Sequence, residues 1–339
     1  MSTSDTMPAL IYAKPNEMAL QETAVPAPAE GEVLLQIDAV GICGSDMHAF
    51  HGHDPRRKPG LILGHEFAGT VIAGAERGRR VTGNPLISCG KCEYCQQGRS
   101  NLCDDRTMIG MSRPGAFAQY MTIPEKVLID LPDTMTAKQG ALTEPAATAL
   151  HALNLAQRIL VKPIEQARVL VIGGGAIGML AALLLRARGA TDVWVAETHP
   201  QRRASVAEHS GAKAFDPIHE PGPGENSCDL VMDAVGAAPT RKAMLHAAKP
   251  GSVAVHVGLQ DWDSEIDMRK LTLAEITLIG SYTYTDADLA DTVAALQRGD
   301  FGDLAWVEQR PLHEGAQAFD DLHNQRTTAA KVLLCPPQA

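Results

Sequence analysis

Four of the seven cysteines in this chain of 339 residues lie within fifteen positions. Cys89, Cys92, Cys95 and Cys103 have the spacing C-x2-C-x2-C-x7-C, which lets their thiolates converge on one centre. Zinc accepts four thiolates in a closed tetrahedral shell that stabilises a fold without catalysing a reaction. Ferredoxin-type iron–sulfur sequences place the last cysteine three residues on and follow it with proline, whereas here the gap is seven and Asp104 follows. We therefore predict a structural zinc, with a cluster, disulfides or free thiols as alternatives.

A second set of metal-binding side chains lies on both sides of this lobe. Cys43 offers a thiolate, His65 an imidazole, and Glu66 and Glu144 offer carboxylates. Each fragment alone is weak evidence, because a cysteine in an apolar strand is usually buried and Gly-His-Glu occurs by chance. Together they fit a catalytic zinc, which keeps three protein ligands and one exchangeable position. Pro145 follows Glu144 and predicts that a helix begins there.

The segment ARVLVIGGGAIGMLAALLLRARGA has the pattern of a nucleotide-binding turn. A buried strand, VLVI, precedes Gly173, Gly175 and Gly178 in G-x-G-x-x-G spacing, and an apolar helix follows from Ile177. A second strand, DVWVAE, ends in Glu197, nineteen residues after the last glycine. This combination indicates a dinucleotide whose pyrophosphate lies against the N–H groups at the start of the helix.

The acid at the end of the second strand bears on which dinucleotide binds. Glu197 would accept hydrogen bonds from the ribose hydroxyls and repel a 2′-phosphate, which favours NAD. Arg202 and Arg203 follow closely and could instead bind a 2′-phosphate, so NADP stays open as the less favoured cofactor. We also assign Arg202 and Val257 to the cofactor site.

These motifs, in this order and over essentially the whole chain, resemble the zinc-dependent medium-chain dehydrogenase/reductase superfamily. The matching segments are Cys43 with the Gly-Ser-Asp that follows it, Gly64-His65-Glu66, the four-cysteine lobe, Glu144-Pro145 and the glycine fingerprint. Animal alcohol dehydrogenases have a second cysteine where this chain has Glu144, so the likeness is to the polyol/sorbitol and threonine dehydrogenase branch. The resemblance implies that Cys43 and His65 bind the catalytic zinc together with Glu66 or Glu144.

The resemblance also implies roles for residues around the metal and the cofactor. Ser45 and His48 match a hydroxyl–imidazole proton path, and Thr148 matches a residue that contacts the nicotinamide. Asp46 is expected to orient a metal-binding imidazole. The implied reaction is oxidation of a secondary alcohol to the ketone, by hydride transfer from a zinc-bound alkoxide to NAD.

The substrate is less determined than the reaction. Polyol dehydrogenases of this superfamily carry an Arg-Tyr pair where this chain has Thr283-Tyr284. The contact that this arginine would make with a sugar alcohol is therefore absent. The loop HDPRRKPG, with Arg56 and Arg57, leaves open an anionic substrate that is phosphorylated, carboxylated or sulfonated. Amino alcohols and the reverse reaction, reduction of an aldehyde or ketone, are further alternatives.

The elements that would position these residues indicate an α/β protein. Short alternating strands before Glu144 predict a β-barrel-like (GroES-like) catalytic domain, and strands alternating with helices after it predict a doubly wound parallel sheet of the Rossmann type. We predict a catalytic domain at 1–148 with the zinc lobe at 88–104, an NAD-binding domain at 149–283, and a return to the catalytic domain at 284–339.

Composition limits the partners of the chain. Thirty basic against forty acidic residues give a formal net charge of −10, which opposes a zinc-finger-like nucleic-acid module. The first residues lack a signal-peptide pattern, and the longest apolar run is too short to span a bilayer, so we expect a cytoplasmic protein without a membrane partner. A non-catalytic zinc scaffold is the remaining alternative. The resemblance implies a homodimer or homotetramer acting on a small-molecule alcohol, with two zinc ions per subunit.

Overall fold

The structure is a computed structural model that describes residues 6–74 and 76–338. The first part of the chain forms mostly strands. These are β1 (Thr6–Lys14), β2 (Glu17–Ala24), β3 (Glu32–Gly41), β4 (Glu66–Ala73), β5 (Arg80–Gly83), β6 (Leu86–Ile87), β7 (Thr107–Met108), β8 (Tyr120–Pro124) and β9 (Leu128–Asp130), with helices α1 (Gly44–Phe50) and α2 (Glu93–Gln96) between them.

The middle of the chain alternates helices with short strands. Helix α3 (Ala137–Gln157) leads to β10 (Arg168–Ile172), α4 (Ala176–Ala187), β11 (Asp192–Ala196), α5 (Pro200–Ser210), β12 (Lys213–Phe215), β13 (Cys228–Asp233), α6 (Ala238–Ala247), β14 (Ala248–His256), α7 (Met268–Leu273) and β15 (Thr277–Gly280). The last elements are α8 (Asp286–Arg298), β16 (Val307–Pro311), α9 (Gly315–His323) and β17 (Lys331–Cys335).

The chain divides into two compact units. The first unit contains the residues up to Glu144, Thr285–Gln297 and the residues from Val307 onward, and the second contains Pro145–Tyr284 and Arg298–Trp306. The predicted return at 284–339 is therefore interrupted in the structure. Phe301, Leu304 and Trp306 are buried, and Gly302 lies close to the side chain of Leu183, which explains why this stretch belongs with the second unit.

The first unit is built on a mainly antiparallel seven-stranded sheet. Its strand order is β16-β17-β3-β4-β5-β9, and β8 pairs with β3. Strand β3 pairs with both β4 and β17, which brings the end of β3, the start of β4 and the last strand of the chain together. A core that includes Leu10, Phe67, Phe117 and Phe319 fills the unit and fixes this arrangement.

The second unit is a six-stranded parallel sheet of order β12-β11-β10-β13-β14-β15. Strands β10 and β13 are buried apart from Arg168 and are mainly apolar, as is typical of parallel strands covered on both faces, although β13 also contains Asp229 and Asp233. The order reverses between β10 and β13, and open α/β sheets bind ligands at such a switch point. The fold class predicted from the sequence is confirmed.

Helix α3 differs from the prediction that a helix begins at Pro145. Thr136 and Gln139 form a reciprocal cap, in which each backbone N–H donates to the other side chain, at 2.8 and 3.2 Å. This cap starts the helix at Ala137 and leaves Pro145 inside it, directly after Glu144. In the described part of the chain, none of the helices has the length and apolar character that a bilayer crossing requires.

Candidate active site

A thiolate, an imidazole and a carboxylate converge where β3 meets β4. Cys43 precedes α1, His65 precedes β4, and Glu66 begins that strand opposite Gly41. Their ligand atoms all lie within 4.8 Å of one another. A Cβ at Gly41 would lie 1.9 Å from a carboxylate oxygen of Glu66, so a side chain at that position would displace the carboxylate.

A buried aspartate faces the imidazole of this group. Asp46 is inaccessible to solvent, and one of its oxygens accepts a hydrogen bond from the backbone N–H of Cys43 at 3.0 Å. Its other oxygen lies 3.7 Å from Nδ1 of His65, and neither of these two atoms has a hydrogen-bond partner among the described residues. Burial alone would lower the pKa of His65, but Asp46 and Cys43 raise it well above the ordinary value.

Glu66 is also paired with a buried lysine. Nζ of Lys331 donates to the two carboxylate oxygens at 2.7 and 2.6 Å and to the carbonyl of Ile42 at 2.9 Å. Burial lowers the pKa of Lys331, but Glu66, Cys43 and Glu144 raise it overall, so this lysine is a buried cation. Sequence reasoning did not assign it a role. The one signal was a lysine at the start of the otherwise apolar strand KVLLC.

Glu144 is placed differently from the other predicted ligands. It is buried in the middle of α3, and its charge contributes to the raised pKa of Lys331. Among the described residues, the ligand atoms of Cys43, His65 and Glu66 lie within 4.8 Å of one another. Glu144 does not belong to this group.

The predicted proton-path residues occupy successive turns of α1. Ser45 and His48 are three residues apart on this helix and therefore lie on one face of it. Burial, His53 and Arg57 lower the pKa of His48, and Asp54 acts in the opposite direction without reversing the shift. His48 is consequently a neutral base over most of the physiological pH range.

The basic loop that follows α1 is not an open anion site. Arg57 is buried and donates to Asp54 and to the first turn of α1. Arg56 donates to both oxygens of the same aspartate, at 2.8 and 3.0 Å. Arg57 is therefore not available to an anionic substrate, and the side chain of Arg56, although two-thirds exposed, is paired with Asp54.

The four-cysteine lobe brings its sulfur atoms together. The Sγ atoms of Cys89, Cys92, Cys95 and Cys103 lie within 4.8 Å of one another, and two of the separations are 3.5 and 4.0 Å. Four thiolates bound at about 2.3 Å around one zinc are separated by about 3.8 Å, whereas a disulfide bond measures about 2.05 Å. Backbone N–H groups of Lys91 and Cys92 lower the pKa of Cys89 to about 6, and burial raises that of Cys103 to about 11.

The glycine fingerprint lies between β10 and α4. Gly173 has φ +100°, Gly175 is the residue before the helix, and Ile177 lies in its first turn. A Cβ at Gly178 would lie 1.8 Å from the carbonyl oxygen of Gly173, so only glycine allows the helix this close to the strand. The loop and helix start therefore have the form that accepts a pyrophosphate.

Glu197 closes this loop from the neighbouring strand. Its two carboxylate oxygens accept hydrogen bonds from the N–H groups of Gly174, at 2.8 Å, and His199, at 2.7 Å. Arg203 donates to the carbonyl groups of Glu197 and Thr198 rather than extending toward solvent.

The other predicted cofactor residues lie at separate places in the second unit. Nε of Arg202 is buried, and no hydrogen-bond partner for it occurs within residues 6–74 and 76–338. Val257 lies just beyond β14, where its N–H donates to Asp233. Thr148 is half-buried on α3.

Comparison with known proteins identifies the family. A model of the alcohol dehydrogenase GroES-like domain matches residues 29–133, and a model of the glucose dehydrogenase C-terminus matches residues 137–332. The chain belongs to the zinc-dependent medium-chain dehydrogenase/reductase superfamily. It is an oxidoreductase of the zinc-type alcohol dehydrogenases, and the resemblance inferred from the motifs is confirmed.

Individual relatives cover nearly the whole chain. L-galactonate-5-dehydrogenase of Escherichia coli K12 is 31% identical over 97% of this chain and 99% of its own length. Sorbitol dehydrogenase of Halalkalibacterium halodurans is 30% identical, over 94% of this chain and 95% of its own length. These two relatives are named for a sugar acid and for a polyol, and the alternatives of an amino alcohol, a phosphorylated alcohol and ketone reduction are not favoured.

Two solved structures show the same fold with a bound cofactor. A zinc-binding dehydrogenase of Sinorhizobium meliloti 1021, bound to NADP, matches with a TM-score of 0.85 at 30% identity, over 98% of this chain and 100% of that one. RspB of E. coli CFT073, in complex with NADH, matches with a TM-score of 0.88 at 26% identity, also over 98% of this chain and 100% of that one. A nicotinamide dinucleotide is therefore the cofactor class of this superfamily member.

Proposed function

We propose that this dehydrogenase oxidises a secondary hydroxyl group of a polyhydroxylated small molecule, a polyol or a related sugar derivative, to the ketone. The observation that carries the proposal is the convergence of Cys43, His65 and a buried carboxylate in a protein that also has a dinucleotide fingerprint. Relatives named for sorbitol and for L-galactonate support the substrate class.

The residues of both metal sites fit zinc. Cys43, His65 and either Glu66 or Glu144 supply the thiolate, nitrogen and oxygen donors of a catalytic site, and the buried Asp46 faces the imidazole as an orienting carboxylate does. The four thiols of the lobe supply a closed site whose sulfur separations suit one ion. Because zinc binding would stabilise a lobe with little apolar core, we assign it a structural role.

The side chains of the site have separate roles in the reaction. A zinc ion held by Cys43 and His65 supplies Lewis acidity that lowers the pKa of a substrate hydroxyl. Ser45 and His48 take up the proton that the hydroxyl loses and pass it to solvent. Thr148 contacts the nicotinamide that accepts the hydride.

We propose NAD as the preferred cofactor. Gly173, Gly175 and Gly178 admit the pyrophosphate beside Ile177. Arg202 and Val257 are assigned to the cofactor from the sequence. The carboxylate of Glu197 is held by two backbone N–H groups, and its negative charge would repel a 2′-phosphate.

The test is a spectrophotometric screen with NAD and NADP in parallel. Polyols, sugar acids, amino alcohols and phosphorylated alcohols are offered to the purified enzyme, and formation of reduced nicotinamide is followed. We expect turnover with a polyhydroxylated substrate and a higher kcat/KM with NAD. A Glu197→Gln variant should lose that preference. Turnover of amino or phosphorylated alcohols alone, or better use of NADP, would contradict the proposal.

We propose a homodimer, or a dimer of dimers, joined through β15. This strand is an edge of the parallel sheet, and the large apolar side chains of Leu273, Leu278 and Tyr282 are exposed near it. An exposed apolar edge strand is a template for pairing with a second copy. A cytoplasmic location accords with clustered thiols kept in the reduced state.

A further inference from the structure

Arg57 is a buried cation that the chemistry described above leaves without a role. Its side chain is 1% exposed, although arginine is rarely buried unless it is paired. Nε donates to the carbonyl of Gly110 at 3.0 Å, and Nη1 donates to Asp54 at 2.8 Å. The rest of the guanidinium faces Ser45, with Nη1 3.3 Å from its carbonyl oxygen and Nη2 3.2 Å from its hydroxyl oxygen.

Arg57 lies among other charged side chains. Its guanidinium and that of Arg56 both contact Asp54, to which Arg56 donates at 2.8 and 3.0 Å. Arg57 also acts electrostatically on the buried carboxylate of Asp46 on α1. Arg56 is two-thirds exposed and screened by water, whereas Arg57 is desolvated, so its charge acts most strongly on α1.

The contact with the hydroxyl restricts what Ser45 can do. A serine hydroxyl has one proton to donate and two lone pairs to accept with. The guanidinium occupies one lone pair, which leaves one acceptor and one donor. A hydroxyl that relays a proton needs this combination, because it accepts one proton while it releases another. The bond from Nη1 to the carbonyl of Ser45 also fixes the first turn of α1.

We propose that Arg57 is a positioning residue for proton release, which fixes the Ser45 hydroxyl between the substrate hydroxyl and His48. This inference rests on the proposed alcohol oxidation. The substrate O–H proton passes to the free lone pair of Ser45 as the serine proton leaves toward His48, and the carbon-bound hydrogen leaves as hydride to NAD. Ser45 ends unchanged, and the proton passes from His48 to solvent.

Both the hydrogen bonds of Arg57 and its charge aid the release of the proton. Groups that face His48 are His51 and His53 beyond α1, and Asp54 and Arg57 in the following loop. Arg57 and His53 disfavour a proton on His48, and Asp54 favours one. Removal of the Arg57 charge should therefore slow the departure of the proton from His48.

The experiment compares Arg57→Lys and Arg57→Met with the matched control Arg56→Met. The control removes a cation from the same aspartate and keeps the contact of Arg57 with Ser45. Zinc content, melting temperature and NADH affinity are measured first, to separate folding from function. Steady-state kinetics then give kcat, KM, the pH profile and the solvent deuterium isotope effect, with a polyol that the wild type oxidises.

We expect kcat of Arg57→Met to fall by about tenfold or more, as for loss of a hydrogen bond from a charged group, with KM changed by less than about threefold. The solvent isotope effect should rise, because proton transfer becomes slower than hydride transfer, and Arg57→Lys should recover only part of the rate. Arg56→Met should match the wild type in kcat and isotope effect.

Two results overturn the inference in different ways. If folded, zinc-loaded Arg57 variants keep the kcat, pH profile and isotope effect of Arg56→Met, Arg57 has a structural role alone and the alcohol oxidation stands. If the wild type oxidises no alcohol with either cofactor, the proposed function is wrong and the role of Arg57 falls with it.

Discussion

At the scale of single residues, Glu66 and Lys331 form a buried ion pair in the first unit. Both side chains are at most 3% exposed, and their atoms approach to 2.6 Å. Lys331→Met would leave a buried carboxylate without its cation, at a cost of about 3 to 5 kcal/mol in the free energy of unfolding.

A double-mutant cycle in urea measures this coupling, with the zinc content of each variant determined first because Glu66 is a candidate zinc ligand. The double variant Glu66→Gln/Lys331→Met should recover most of the stability that Lys331→Met loses, because no unpaired charge remains. Simple addition of the two single effects would show that the pair does not stabilise the fold in the manner inferred.

His48 gives a prediction in pH. Its pKa lies below the ordinary value because of burial and of the neighbouring His53 and Arg57, so the imidazole accepts a proton down to mildly acidic pH. Below that pKa the base is lost, and kcat/KM of the wild type should fall. His48→Gln should be slower by about tenfold or more near neutral pH, where the wild-type imidazole accepts a proton, and approach the wild type at high pH, where hydroxide replaces the base. An unchanged pH profile would remove His48 from the mechanism.

The residues that sequence reasoning identified were those with distinctive types and spacing, such as Cys43 and His65. Lys331 was missed because its partner Glu66 lies 265 residues away, and only the pairing of β17 with β3 brings them together. Arg57 was counted as part of a basic loop, because the sequence does not show that its side chain turns inward.

At the scale of elements, the turn between β10 and α4 makes a prediction about glycines. Gly178→Ala would place a Cβ 1.8 Å from the carbonyl oxygen of Gly173, so backbone must move. We expect the free energy of unfolding to fall by about 1 to 3 kcal/mol or more. Dinucleotide binding should be lost as well.

Gly175→Ala is the matched control. Gly175 has φ −72°, and a Cβ there would have nothing within 4 Å, so stability should stay within about 0.5 kcal/mol of the wild type. NADH should nevertheless bind more weakly, because the pyrophosphate needs close approach to this backbone. Thermal melts and NADH fluorescence titrations measure both. Equal stability of the two variants would contradict this account.

Most elements followed from local pattern, and α3 shows where that fails. The buried runs VLVI and CDLVMD predicted parallel strands because β-branched and apolar residues fill both faces. Pro145 was interpreted as a helix start, whereas the cap formed by Thr136 and Gln139 begins the helix eight residues earlier. A cap with good geometry outweighed the preference of proline for a first turn.

At the scale of the whole molecule, β15 predicts the oligomeric state. Leu278→Lys places a charge on the exposed edge of the parallel sheet and should convert a dimer to monomers in sedimentation velocity. Leu20→Lys, at a position of similar exposure on β2, is the control and should leave the assembly intact. A monomeric wild type, or equal behaviour of the two variants, would contradict assembly through β15.

The division of the chain into units was predictable only in part. The change from alternating short strands to strands separated by helices marked the passage near Glu144. The assignment of 298–306 to the second unit depends on the burial of Phe301, Leu304 and Trp306, and a short apolar stretch does not reveal which core it joins.

The central claim is a catalytic zinc held by Cys43 and His65, separate from the structural zinc of the lobe. Elemental analysis of the purified wild type, Cys43→Ser and Cys103→Ser, combined with the alcohol oxidation assay, tests it most directly. The account predicts two equivalents of zinc per subunit in the wild type and one in each variant, with oxidation abolished in Cys43→Ser and a lower melting temperature in Cys103→Ser. Active wild type without zinc, or a Cys43→Ser form that still oxidises the alcohol, would contradict it.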